Sequence, residues 1–213
     1  MGSQAERATA IILAGGKSSR FGADKASSLL LGRPLLQWVL DAAAVAAAEV
    51  VIVGAVGQEL PGVTCDVPAR IVRDRYPNAG PLAGLATGLE AASTDVCLAL
   101  SCDAPLLQPA VLAALIHGLA STATAAVVPE VQGRLQPLVA AYRRSACLGL
   151  FRNSVEAGEL ALTPAVQALD PLVIREAEAR SFDPELQSFH SANTPAELEE
   201  LRARRLNPKP KMA

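Results

Sequence analysis

The sequence predicts an α/β fold built on a mainly parallel sheet, and three observations carry that prediction. Short apolar runs rich in β-branched residues recur along the chain and mostly lack period-2 alternation, as strands buried on both faces do. Segments with apolar residues spaced by three and four lie between those runs. Strand and helix patterns therefore alternate, which is the signature of βα units around one sheet.

The elements follow in order. Strands are expected over 9–14 (TAIILA), 49–55 (EVVIVGA), 69–74 (ARIVRD), 95–102 (DVCLALSC), 125–130 (AAVVPE) and 138–142 (LVAAY). Helices are expected over 33–48, 80–93 and 108–121, with Pro34 and Pro109 suited to first-turn positions because their missing N–H is unpaired there anyway. Further on, 163–169 reads as a short helix and 171–176 as a strand. The segment 194–205 starts with Thr194 as N-cap, Pro195 at the first helical position and Glu197 three residues beyond the cap. The expected organisation is an N-terminal tail over 1–7, one domain over 8–205 and a flexible C-terminal tail over 206–213.

Composition narrows the function classes. The chain has 213 residues, 51% of them hydrophobic and 19% charged, which suits a folded globular domain. Aromatics are only 3%, so stacking platforms for single-stranded nucleic acid are hard to build. A formal net charge of -2 leaves no broad basic field for duplex DNA or anionic membranes. No nucleic acid and no membrane are expected as partners. The N-terminus is polar, Gly2 lacks the Ser or Thr that myristoylation needs, and no long apolar run occurs, so the expected location is the cytoplasm. Cys65, Cys97, Cys102 and Cys147 form no C-x-x-C pair, and buried reduced thiols are expected.

Parallel sheets bind ligands outside the carboxyl ends of their strands. Four stretches fall there: AGGKSSRFGADK after the first run, DRYPNAGPLAG after the third, CDAP after the fourth, and Arg143–Arg144 after the 138–142 run. The first stretch combines Gly15 and Gly16 with Lys17, Arg20 and Lys25. Glycine lets backbone N–H groups approach an anion closely. Its spacing fits neither G-x-G-x-x-G nor G-x-x-x-x-G-K-[ST]. Two readings stand: a phosphate cradle of another kind, or a tight solvated βα turn. Asp103, directly after a strand, also has two readings: a Mg²⁺ carboxylate acting with substrate phosphates, or a cap for the next helix. Trp38 is expected in the core with its N–H satisfied locally, His117 in a last helical turn, His190 on the surface in preference to a substrate contact, and Glu197, Glu199 and Glu200 on a solvated helix face.

LAGGKSSRFGADK resembles the L-A-G-G-x-x-x-R-[MF]-G-x-D-K signature of the molybdenum cofactor guanylyltransferase family. GPLAGL (80–85), CDAP (102–105) and NTPAEL (193–198) are similar to its later motifs and come in the same order, from Leu13 to Leu198. The resemblance implies a Rossmann-like three-layer α/β/α nucleotidyltransferase fold. It implies transfer of GMP from GTP to the molybdopterin-bound cofactor, with release of pyrophosphate and with Mg²⁺ as cofactor. Leu13, Ala14 and Gly15 would meet the guanine and ribose, with Gly16 continuing the loop among the GTP-binding residues, and Asp74, Gly80 and Pro81 would meet the nucleotide. Arg20 and Lys25 would bind the triphosphate, and Asp103 would hold the metal. Gln136 and Asn193 would face the pterin. Partners beyond the substrates would be molybdoenzyme chaperones or other cofactor-biosynthesis proteins.

Related cytidylyltransferases carry L-A-A-G, and a methyl at position 15 would crowd a purine more than a pyrimidine. This chain departs from the family pattern at Ser191, at Gln136 before Pro137, and at Val53–Gly54 after the second strand. Two other readings compete: a cytidylyl, sugar-phosphate or isoprenoid nucleotidyltransferase, and a non-enzymatic carrier that docks on a partner.

Overall fold

A computed structural model describes residues 8–15 and 25–206. The first strand, β1 (Ala8–Leu13), is buried along its whole length, which accounts for its unbroken apolar sequence. A small antiparallel hairpin of β2 (Leu29–Leu30) and β3 (Arg33–Pro34) precedes α1 (Leu35–Ala46). The sequence reading placed residues 33–34 in the helix, but Pro34 sits one residue before it in extended geometry. Then come β4 (Glu49–Gly54), β5 (Ala69–Arg73), α2 (Gly80–Ala91), β6 (Val96–Ser101) and α3 (Pro109–Ala120). The chain continues through β7 (Ala126–Val131), β8 (Arg134–Leu135), β9 (Val139–Arg143), α4 (Arg144–Glu156), α5 (Leu162–Gln167), β10 (Leu172–Ile174), α6 (Glu176–Phe182) and α7 (Pro195–Leu206).

The main sheet runs β10-β7-β9-β6-β1-β4-β5, with β8 paired to β7. β1 pairs in parallel with both β4 and β6, and the strand order reverses between β1 and β6. A crevice at that point is where an open α/β sheet receives a ligand. β9 is antiparallel to both of its neighbours, β6 and β7.

Two apolar clusters cover the two faces. On one, Leu36, Val39 and Leu40 of α1 and Leu112, Leu115 and Leu119 of α3 pack against Ala10 and Ile12. On the other, Leu82, Leu85 and Leu89 of α2 and Phe151 of α4 pack against Ile11 and Leu13. Alternate residues of β1 thus serve opposite layers. α2 lies so close to β1 that a Cβ on Gly88 would come within 2.2 Å of Ile11 Cγ2. A Cβ on Gly84 would lie 3.3 Å from Leu13 Cδ2.

Three expectations change here. β5 is mostly exposed rather than buried on both faces, because it is the edge strand. Helices α4 and α6 had no counterpart in the sequence reading, since their apolar stripes are narrow: only Cys147, Phe151 and Val155 are buried in α4 and only Ala179 in α6. Trp38 is half-buried, with the guanidinium groups of Arg33 and Arg205 both over its indole ring and its N–H donated to Leu30 O at 3.0 Å. The local partner was expected; the two cation–ring contacts were not. No helix among the described residues is long and apolar enough to cross a membrane.

Candidate active site

The strand ends of β1 and β6 stand side by side, with Leu13 opposite Ser101 and Cys102 N–H donating to Leu13 O at 3.1 Å. Beyond Leu13 the chain turns at Ala14 and Gly15, whose N–H groups both donate to Val53 O, at 2.9 and 3.1 Å. Leu13 and Ala14 are buried and Gly15 is exposed. Gly16, Lys17, Arg20 and Asp24 lie outside the described residues. Gly15 has a reason internal to the fold: a Cβ there would sit 2.8 Å from Ala55 N. The crowding that excludes a methyl at this position comes from the chain's own backbone.

The described structure resumes at Lys25, which opens a single 3-10 turn. Lys25 Nζ donates to Asp103 Oδ2 at 2.9 Å and to Asn193 Oδ1 at 2.7 Å. Three motifs far apart in sequence thus converge on one ammonium group. The Lys25 and Asp103 side chains keep 20% and 14% exposure, so the pair borders solvent and remains within reach of a ligand. Asp103 Oδ1 accepts a hydrogen bond from Ser101 Oγ at 2.6 Å. Helix α3 has Gln108 at its N-cap and no side-chain cap, so Asp103 does not cap it. Pro109 does open that helix as expected.

Asn193 is held on three sides. Its Nδ2 donates to Ser191 Oγ at 3.0 Å, its backbone N–H donates to Glu197 Oε2 at 2.5 Å, and its Oδ1 faces Lys25. Ser191, a departure from the family motif, is thereby a working part of this segment. Glu197 N–H donates to Thr194 Oγ1 at 3.2 Å, so the expected N-cap of α7 is present. Glu197 reaches back to Asn193 instead of lying on a solvated face, which corrects that expectation. Ala192 N–H donates to Asp103 O at 2.9 Å and ties the closing motif to the β6 loop.

A cleft of about 470 Å³ opens beside Asp103. Pro81, Gln136, Leu162, Ser188 and Ser191 are among its lining residues. Gln136 reaches it because β9 runs antiparallel: the segment before β9, not the one after it, lies at this end of the sheet. The same reversal sends Arg143 and Arg144 to the opposite end, contrary to the expectation that they follow a ligand-facing strand end. Arg143 there donates to the carbonyls of Leu119, Thr122 and Thr124, and Arg144 to that of Leu89. Both arginines satisfy helix-end and loop carbonyls.

Asp74 follows the edge strand, and its Oδ1 accepts from Tyr76 N–H at 3.0 Å and from Thr87 Oγ1 at 3.3 Å. Gly80 opens α2 with φ 77°, a left-handed conformation suited to glycine. Two residues of this region escaped the sequence reading. Buried Ser188 accepts from Gln108 N–H at 2.9 Å and is itself held by Asp183. Gln58 bridges the ends of β1 and β4. No residue-type signal marks Gln58, because its partners are backbone groups of Ala14 and Ala55. His190 is half-buried; burial and then Arg204 lower its imidazole pKa from the ordinary histidine value. Burial pushes the thiols of Cys97 and Cys147 up to about 12, which makes them inert.

The residues suit one kind of metal site. No group of three or more His, Cys, Asp or Glu side chains that could hold an ion occurs among the described residues. A single carboxylate beside a cation and an open cleft fits a hard divalent ion that shares its coordination with substrate phosphates and water.

A family model for the MobA-like NTP transferase domain matches residues 10–169. A probable molybdenum cofactor guanylyltransferase of Chloroflexus aggregans is 36% identical over 199 residues, covering 91% of this chain and 92% of that protein. The molybdenum cofactor guanylyltransferase of Desulfosudis oleivorans is 33% identical, covering 92% and 94%. Among solved structures, molybdopterin-guanine dinucleotide biosynthesis protein A from Archaeoglobus fulgidus superposes with a TM-score of 0.77 at 23% identity, covering 93% of this chain and 99% of that one. The 2-C-methyl-D-erythritol 4-phosphate cytidylyltransferase of Thermus thermophilus gives a TM-score of 0.68 at 23% identity, covering 92% and 98%. These two likenesses speak to the fold. With a lysine paired to a strand-end carboxylate, a reversal of strand order and a family match over most of its length, the chain belongs to the MobA-like NTP transferase family and is a nucleotidyltransferase.

Proposed function

We propose that the chain transfers GMP from GTP to the molybdopterin-bound molybdenum cofactor, yielding the guanine dinucleotide form and pyrophosphate. The observation that carries this reading is the convergence of Lys25, Asp103 and Asn193 beside an open cleft. The base and the acceptor come from the relatives named as guanylyltransferases. In the reaction, an oxygen of the pterin's terminal phosphate attacks the α-phosphorus of GTP. A new P–O bond forms, the bond from the α-phosphorus to the bridging oxygen breaks, and pyrophosphate leaves. No protein nucleophile is needed, so the chain's task is positioning and charge stabilisation.

Lys25 is suited to the leaving pyrophosphate, because its ammonium is already oriented by two acceptors. Arg20 and Gly16, in the same sequence motif, belong to the triphosphate and base contacts of this reading, with Leu13, Ala14, Gly15, Asp74, Gly80 and Pro81. Asp103 would hold Mg²⁺, which when bound supplies positive charge at the phosphates. Gln136 and Asn193 flank the acceptor side. Delivery of the product to molybdoenzymes, through chaperones or other cofactor-biosynthesis proteins in the cytoplasm, completes the reading.

The test mixes the purified chain with the pterin cofactor, Mg²⁺ and each nucleoside triphosphate, and follows pyrophosphate. Release is expected with GTP, and Asp103→Ala is expected to abolish it while circular dichroism stays unchanged. A preference for CTP overturns the base assignment, and normal turnover by Asp103→Ala overturns the metal assignment.

A further inference from the structure

Gln58 lies in the loop after β4, which none of the four motifs includes. Its Oε1 accepts from Ala55 N–H at 2.8 Å, and its Nε2 donates to Ala14 O at 2.9 Å. The two backbone partners differ in kind, one donor and one acceptor. They therefore determine which way the amide faces, and only a primary amide satisfies both. The loop that presents it is held in turn. Gln58 N–H donates to Ala55 O at 3.2 Å, and Gly57 adopts φ 75° inside that turn, where glycine carries no steric cost. Arg73 Nη1 donates to the carbonyls of Ala55 and Gln58, at 3.2 and 2.9 Å.

The place of this brace gives it a consequence. Ala14 O is the carbonyl of the peptide that leads into Gly15, the exposed residue at which the chain leaves β1 toward Lys25. Ala14 and Gly15 N–H groups are both committed to Val53 O. With its N–H side tied to β4 and its carbonyl tied to Gln58, the Ala14–Gly15 peptide has one orientation. The space beneath Gly15 is closed by Ala55 N, whose own hydrogen goes to Gln58 Oε1. One side chain thus sets the floor and the direction of the turn that opens the glycine-rich loop.

We infer that Gln58 is a positioning residue for nucleoside triphosphate binding, acting through the Ala14–Gly15 turn and not on the acceptor. The inference rests on the reading that this turn receives the nucleotide. Gln58→Glu keeps the length and the acceptor of the Ala55 N–H but replaces the donor facing Ala14 O with a carboxylate oxygen. Gln58→Met keeps the length and removes both hydrogen bonds.

The experiment first titrates the wild-type chain with GTP, CTP, UTP and ATP in Mg²⁺ and takes the tightest binder forward. Dissociation constants, KM for nucleotide and for acceptor, and thermal melting are then measured for both variants. Gln58→Glu is expected to weaken nucleotide binding about tenfold, as loss of one backbone hydrogen bond plus a repulsive contact would. Gln58→Met is expected to weaken it by a few-fold. The KM for the acceptor is expected to stay at its wild-type value in both. Unchanged nucleotide affinity in a folded variant, or an equal rise in both KM values, overturns the inference. Should Gln58→Glu fail to fold, Gln58→Met decides by the same criteria. A wild-type preference for a base other than guanine refutes the GTP reading but leaves Gln58 to be judged on the preferred nucleotide; binding of none of the four refutes both.

Discussion

The two ends of the sheet hold charge in different ways. At the amino end, Glu49 accepts hydrogen bonds from Thr9 Oγ1 at 2.6 Å, from Ser93 N–H and Oγ at 2.8 and 2.7 Å, and from Arg70 at 2.9 Å. Burial opposes ionisation of this carboxyl, but those donors outweigh it and hold its pKa at about 2. Asp95 is treated similarly: burial raises its pKa, and donors from Ser145 and Arg143 bring it below the ordinary range. At the carboxyl end, Asp103 meets Ser101 and Lys25, both members of the ion pair keep some exposure, and Asp103 lines the cleft. Charge at one end is tied into the fold, and at the other a carboxylate is left at the edge of an open cleft. An ionised group by itself does not mark a site; its partners and its access to a cleft do.

This contrast breaks most sharply at Lys25. Lys25→Met is expected to lower pyrophosphate release about 10²- to 10³-fold, the cost of removing one preorganised charge from a developing anion. Its thermal melting is expected to stay within a few degrees of wild type. Equal turnover would place Lys25 with the structural charges.

Glu49→Gln should behave in the opposite way. Urea titration is expected to show a loss of about 2 to 3 kcal/mol, since several hydrogen bonds to a charged acceptor weaken together. Turnover at room temperature is expected to be unaffected. The pH dependence has a definite sign. With the folded carboxyl at about 2 against an ordinary 4.5, its stabilisation is complete above pH 4.5 and is lost as pH falls toward 2. The stability gap between wild type and Glu49→Gln should therefore narrow over that window, which acid unfolding curves would follow.

Smaller effects test the packing that joins the two ends. Gly88→Ala drives a Cβ into Ile11 and is expected to cost about 1 to 2 kcal/mol by overpacking, with nucleotide selectivity unchanged in binding titrations. Gly149 in α4 is exposed and would meet nothing within 4 Å, so Gly149→Ala is expected to gain about 0.5 to 1 kcal/mol. Chemical denaturation measures both, and the opposite signs are the result to check.

Particular residues show how far the sequence could be read. Lys25 and Asp103 were legible because each belongs to a motif beside a strand end, and the parallel sheet carries such ends to one crevice. Arg143 and Arg144 were misplaced because an apolar run records burial and not direction. The information was nonetheless present: residues 132–138 between β7 and β9 are too few for a parallel crossover and contain no helix. Gln58 was illegible because its partners are the backbone groups of Ala14 and Ala55, and a backbone carbonyl or N–H has no residue-type signature.

By itself the sequence determined the α/β class, the burial of β1, β4 and β6, the first turns of α3 and α7, and the motif order that identifies the family. These follow from local patterns: apolar periodicity, proline and cap chemistry, and glycine at strand ends. Only the tertiary structure decided that Lys25 meets Asn193 across 168 positions, that Gln136 lies at the cleft while Arg143 lies far from it, and that Gly15 is required by Ala55. The physical reason is that strand direction and backbone approach arise from how distant elements pair, and no stretch of sequence contains both partners of such a contact.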